Sequence, residues 1–130
     1  MKKILIGLSV VAALGLQASD TIGSNMKVMR DGLVEIQDGF LYNDKKRVLD
    51  GIVQIEKANK IFHDRKSVSK YLPADKKRLA NVALLSSKSL DHSLAEMRLY
   101  INNDKINEAS AASNSVIQNC TRCHAVVRGW

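Results

Sequence analysis

The chain has 130 residues and a formal net charge of +7, which suit a single domain with a basic surface. Apolar residues make up 45% and charged residues 25%, as in ordinary globular domains, so the composition excludes wholesale disorder. With 7 glycines, 1 proline and 2 cysteines, collagen-like, proline-rich and multi-disulfide scaffolds are excluded as well.

The first 18 residues have the three parts of a secretory signal peptide. Met-Lys-Lys opens the chain, residues 4–16 form an uncharged apolar run, and Ala18 is a small residue behind which a signal peptidase can cut. An uncleaved anchor is the alternative, but this run is shorter than the roughly 20 residues that span a bilayer. We therefore expect export to the periplasm without stable membrane insertion, a signal peptide over 1–18 and one domain over 19–130.

Four amphipathic segments follow the signal peptide. Apolar residues recur at spacings of three and four over residues 26–40, 48–62, 79–101 and 109–127, which is the pattern of one helix face. No segment sustains the alternation of a strand. The sequence therefore predicts an all-α fold, an antiparallel up-down-up-down four-helix bundle.

Residues typical of helix ends separate these segments. The predicted N-caps are Ser24 or Asn25 for the first helix, Asn43 or Asp44 for the second and Asn103 or Asp104 for the fourth. The third helix is predicted to start near Pro73, because proline is tolerated in the first turn of a helix. Small residues on the fourth stripe (Ala109, Ala112 and Ser113) indicate close helix packing or space for another group.

The C-terminal segment carries the most specific motif. Cys120-Thr121-Arg122-Cys123-His124 is the C-x-x-C-H signature of c-type haem attachment. Two thiols one turn apart share a helix face and can each form a thioether with a haem vinyl group. The histidine that follows can then bind the iron as the proximal ligand.

Three other interpretations of the cysteines stay open. A disulfide between them would close a very short loop and contribute little stability. A thioredoxin-like redox pair would follow a strand, and this chain has no predicted strand. Half of a zinc site would need a second Cys/His pair, which the sequence lacks.

The sequence also offers a ligand for the opposite side of the iron. In an up-down-up-down bundle, the start of the first helix lies level with the end of the last. Met26 and His124 are each about one turn from those ends, so Met26 is the predicted second axial ligand. Met29, one turn deeper, is the rival, and His63 is a weaker candidate. His92 lies off the apolar stripe of its helix and is expected to be solvated.

With C-x-x-C-H on the last of four helices, the chain resembles the cytochrome c′ family, and in particular its low-spin, methionine-ligated members. Residues 25–36 are also similar to the first helix of the soluble periplasmic b-type cytochrome with the same bundle fold. In that protein the methionine equivalent to Met26 is an axial ligand. Arg128 matches a basic position that the family carries beside the proximal histidine, while the middle helices match only in pattern.

The resemblance implies a single covalent haem c and transfer of single electrons between periplasmic redox partners, rather than enzymatic turnover. High-spin members of the family instead keep an open distal site that binds nitric oxide or carbon monoxide, and this is the alternative function. A third alternative is a haem-free bundle with a structural disulfide. Family members often pair through helix faces, which leaves a homodimer open.

We expect the haem to lie at the end of the bundle shared by Met26 and His124. The predicted apolar wall comprises Met26, Met29, Leu33, Phe62, Leu79 and Val82, with Tyr71 and Leu72 as a lid.

Many basic residues map to the same end: Lys27, Arg30, Arg65, Lys66, Lys70, Lys76, Lys77, Arg78, Arg122 and Arg128. They are expected to neutralise the haem propionates and attract acidic redox partners, although an ordinary solvated surface is equally consistent with them. Nucleic acid is not an expected partner, since the basic residues carry no base-stacking aromatics.

Overall fold

The computed structural model describes the backbone of residues 14–129 and the side chains of residues 22–128. The predicted basic start of the signal peptide, most of its apolar run and Trp130 lie outside the described residues. Within the described range, no helix combines the length and the apolar character that a membrane crossing requires.

Every regular element of the described chain is helical, which confirms the predicted all-α class. The five helices are α1 (Leu14–Leu41), α2 (Lys45–Asn59), α3 (Arg65–Tyr71), α4 (Ala80–Asn102) and α5 (Ile106–His124). Short 3-10 turns at Lys60–Phe62 and Ala74–Leu79 flank α3, and a π-helical turn at Ala125–Gly129 follows α5. The four long helices correspond to the four amphipathic segments, whereas α3 was not predicted.

The helix caps predicted from the sequence are confirmed in part. The Asp44 side chain caps α2 by accepting a hydrogen bond of 3.0 Å from the backbone N–H of Arg47, as predicted. The expected cap of α1 at Ser24 or Asn25 is wrong, because α1 already begins at Leu14. No proline interrupts the chain before Ser24, so the helix continues through this region.

The predicted cap of the last helix is also wrong. Asn103 instead ends α4, where its side-chain amide donates to the carbonyl of Leu99 at 2.7 Å. Asp104 has a φ of 59°, a left-handed turn conformation that asparagine and aspartate tolerate. Lys105 takes the N-cap position of α5 without a side-chain hydrogen bond.

The start of the third predicted helix is more gradual than expected. Pro73 precedes the 3-10 turn Ala74–Leu79, and this turn continues directly into α4 at Ala80. The helix therefore begins near Pro73 as predicted, but its first six residues have 3-10 rather than α geometry.

The predicted stripes form the main core. Packing joins α1 to α2, α4 to α5 and α2 to α4. The core consists of Ile36, Val48, Ile52, Ile55, Leu90, Leu94, Met97, Ile101, Ala109, Ala112 and Val116. A second, smaller cluster ties α3 to the start of α4: Val68, Leu72, Ala80 and Ala83, with Phe62, Cys123 and Val127 packed against it. This second cluster places α3 against the C-terminal motif.

Glycines allow α1 and α2 to approach within backbone contact. A Cβ atom on Gly51 would lie 2.5 Å from the carbonyl oxygen of Gly32 and 2.8 Å from Cγ1 of Ile36. Gly39 is equally close to Val48. These pairings show that α1 and α2 run in opposite directions, and no side chain larger than hydrogen fits between them at Gly51.

Gly51→Ala is expected to lower the free energy of unfolding by about 3 kcal/mol, because a backbone oxygen and a core side chain block the new methyl group. Gly23→Ala is the matched control, since nothing lies within 4 Å of its Cβ position. That change is expected to leave stability unchanged or raise it by up to about 1 kcal/mol. Urea unfolding followed by circular dichroism measures both, and equal effects would contradict the close approach.

Candidate functional site

A cavity of about 280 Å³ lies where α1, α2, α4 and α5 meet. This is near the lower end of the roughly 300–1,000 Å³ of small-molecule sites. Its apolar wall comprises Met26, Met29, Leu33, Ile55, Phe62, Ala83 and Leu90. The remaining lining residues are Arg30, Asn59, Ser86, Ser87, Asn119, Cys120, Cys123, His124 and Arg128. The cavity thus combines an apolar wall with thiol, imidazole and thioether groups.

The two cysteines reach the cavity from the last turns of α5. Both are half-buried, and neither is part of a disulfide. Burial raises the pKa of the Cys120 thiol, with a further contribution from neighbouring Cys123, and burial likewise raises the pKa of Cys123. Both groups therefore stay protonated at neutral pH, whereas a redox-active pair requires a thiolate.

His124 ends α5 at the same cavity. Burial lowers the pKa of its imidazole, and the nearby positive charge of Arg128 lowers it further. The ring is therefore neutral at pH 7, and a neutral imidazole has a nitrogen lone pair that can bind a metal ion. Arg128, the basic position singled out by the sequence, lines the same cavity as His124.

Met26 and Met29 lie on α1, and both border the cavity. Met29 also packs against the main core cluster, whereas Met26 belongs to neither cluster of the described side chains. A methionine that packs in a core has a structural reason to be apolar. Met26, by contrast, lines the cavity without belonging to either core cluster.

The remaining predicted wall residues divide into two groups. Leu33 and Phe62 line the cavity, whereas Leu79 and Val82 do not. Leu79 ends the 3-10 turn before α4, and the tighter winding of that turn changes the helical register. Ala83, which lies next to Val82 within α4, lines the cavity instead.

The expected lid residues also lie elsewhere. Leu72 is buried in the small cluster around α3, and neither Tyr71 nor Leu72 lines the cavity.

The sequence analysis missed a polar wall of the cavity. Asn59, which is 1% exposed, donates to the carbonyl of Ser87 at 3.0 Å and to Oδ1 of Asp91 at 2.8 Å. It also accepts a hydrogen bond of 3.0 Å from the Ser87 hydroxyl. Asn119 donates to the hydroxyl of Ser93 at 3.1 Å. The wall is thus rigid and internally satisfied.

A signal for these asparagines was present in the sequence. Asn59 follows Ile55 by four residues, and Asn119 follows Val116 by three, so both lie on stripes that otherwise hold apolar residues. An amide at such a position has to find buried hydrogen-bond partners. That requirement marks it as part of an internal site or network.

The other two histidines do not line the cavity. His63 Nε2 lies 2.7 Å from Oδ2 of Asp91, and both side chains are partly exposed. His92 is exposed on α4. Neither residue is therefore in a position to act from within the cavity as described.

The described side chains contain no group of three or more His, Cys, Asp and Glu that could hold a metal ion. A haem differs from a bare ion in this respect, because its ring supplies four nitrogen ligands and leaves one or two positions for the protein.

Comparison with known proteins gave no match among family models, curated proteins or solved structures. The function of the cavity is therefore inferred from its own residues.

Proposed function

We propose that the chain is an exported, single-haem c-type cytochrome of the cytochrome c′ type, with an up-down-up-down four-helix bundle. Its function is to carry single electrons between periplasmic redox partners, without turning over a substrate. The observation that carries this proposal is the convergence of Cys120, Cys123, His124 and Met26 on one cavity that has an apolar wall. The C-x-x-C-H spacing supports a covalent haem over a freely exchanging one.

The donor groups are chemically suited to this role. Each thiol of Cys120 and Cys123 would add across one vinyl group, so that sulfur bonds to one carbon, the thiol hydrogen goes to the other, and no oxidant is consumed. A ring nitrogen of His124 would be the proximal ligand, and the Met26 thioether the distal one. When bound, the haem supplies an iron that gains and loses one electron.

The rest of the cavity would control this centre. Met29, Leu33 and Phe62 are apolar and would keep water away from the buried group, which favours the less charged state of an iron centre. Arg30 and Arg128 border the cavity and are themselves exposed. They would neutralise the haem propionates at the edge of the cavity while remaining in contact with solvent themselves.

A reductive titration of the purified protein, matured with the c-type machinery, tests the proposed electron carrier. We expect one electron per chain and a low-spin absorption spectrum in both oxidation states, because His124 and Met26 would both bind the iron. A colourless protein would contradict the haem. A high-spin spectrum with ready carbon monoxide binding would favour the gas-binding function instead.

A further inference from the structure

We propose that the connection between α2 and α4 is the docking surface for an acidic protein that exchanges electrons with the cavity; this rests on the proposed function. The surface, here called the basic connection, is residues 65–78, which contain α3 and most of the following 3-10 turn. Its cations are Arg65, Lys66, Lys70, Lys76, Lys77 and Arg78, against a single acid, Asp75. All but the half-buried Lys76 are exposed.

The cations of the basic connection form no ion pairs with the described side chains. The opposite end of α2 differs. There Arg47 bridges Glu35 and Asp38, at 2.5 and 2.7 Å, and Lys46 pairs with Asp50 at 2.5 Å. Of these two ends, the basic connection is the one whose cations have no ion-pair partner among the described side chains, so they stay available for the carboxylates of a partner.

The acid that precedes the basic connection is already engaged. The Asp64 carboxylate caps α3 by accepting hydrogen bonds from the backbone N–H of Ser67 at 2.8 Å and from its hydroxyl at 3.0 Å. These bonds lower the pKa of Asp64. The carboxylate therefore orders α3 while the neighbouring cations stay unpaired.

The basic connection is fixed next to the cavity. Val68, which is 1% exposed, and Leu72 belong to the cluster against which Cys123 and Phe62 pack. Both of the latter line the cavity. A partner on the exposed face of α3 is thus separated from the cavity by little more than this cluster. Leu41, at the C-terminal end of α1, lies about 22 Å from Met26 along the helix axis. A partner bound there would therefore be much farther from the cavity.

The surface chemistry favours a protein over a membrane or a nucleic acid. Interfacial membrane binding uses exposed Trp, Phe or Leu beside the cations, and the large exposed apolar side chains of the described chain all lie outside residues 60–80. The single aromatic residue of the basic connection, Tyr71, is half-buried. It offers no free platform for stacked bases.

Binding of a fluorescein-labelled oligo-glutamate peptide to the matured full-length protein, measured by anisotropy, tests the surface. Lys66→Glu/Lys77→Glu is expected to weaken binding about tenfold, since it reverses two cations within the surface. Lys88→Glu/Lys105→Glu changes net charge equally at exposed positions elsewhere, and should weaken binding by less than about threefold. Added salt should weaken binding to the parent protein.

Equal loss in both variants would overturn the proposal, because net charge alone would then explain binding. Absence of peptide binding would overturn it too. Vesicles of phosphatidylcholine and phosphatidylglycerol are the comparison probe, and preferential binding to them would replace the protein partner with a membrane. The fluorescence signal does not depend on haem, and the absorption spectrum of the same sample shows separately whether the proposed function fails.

Discussion

Replacing Cys120 and Cys123 together by serine is expected to abolish covalent haem attachment. A serine hydroxyl does not form the thioether that the C-x-x-C-H motif provides, so no haem should remain on the chain after denaturation. Burial of the porphyrin at about 25 cal/mol per Å² would contribute several kcal/mol, and the variant should therefore also unfold more readily. A haem-stained denaturing gel of protein expressed with the c-type maturation machinery measures the attachment.

The matched control for the cysteine variant is Thr121→Ala/Arg122→Ala. These two residues lie between the cysteines, and both are exposed. The Thr121 hydroxyl donates only to the carbonyl of Gln118 within its own helix, at 3.1 Å. The control should keep its haem, and covalent haem that survives the loss of both cysteines would contradict the assigned attachment.

Met26→Ala is expected to convert a low-spin iron into a high-spin one. Without the thioether, Met26 would no longer bind the iron, which would change the absorption spectrum and admit carbon monoxide. His124 and the cysteines are unaffected, so the haem should remain covalently attached. Absorption spectra of the oxidised and reduced proteins, with and without carbon monoxide, measure the change.

Met29→Ala separates ligation from packing. Met29 borders the same cavity but also packs against the main core, so its truncation should lower stability by about 2–5 kcal/mol and leave the spectrum low-spin. A high-spin spectrum in Met29→Ala alone would assign the distal ligand to Met29. A parent protein that is already high-spin would mean that neither methionine binds the iron.

Periodicity predicted the parts of the fold that long apolar stripes determine. Ile36, Ile52, Leu94 and Val116 were each placed on a stripe, and each is fully buried. The predicted and observed positions of these residues agree because a helix of three turns or more has to bury its apolar face. The same periodicity placed Cys120, Cys123, Met26 and Met29 on faces that meet at the cavity.

Short and irregular segments were harder to predict. α3 has only seven residues and a single buried one, Val68, so its pattern is too short to recognise. Leu79 was misplaced because a 3-10 turn has about three residues per turn rather than 3.6. Asn59 and Asn119 were overlooked because their partners lie on α4, and a partner distant in sequence is not visible in local spacing.

The most direct test of the account is the intact mass of the protein expressed with its leader and the c-type maturation machinery. We predict a chain that lacks residues 1–18 and carries the mass of one haem, retained under denaturing conditions. A haem-free chain that is lighter than the reduced polypeptide only by the hydrogens lost in a disulfide between Cys120 and Cys123 would contradict the account. The protein would then be a helical bundle with a structural disulfide.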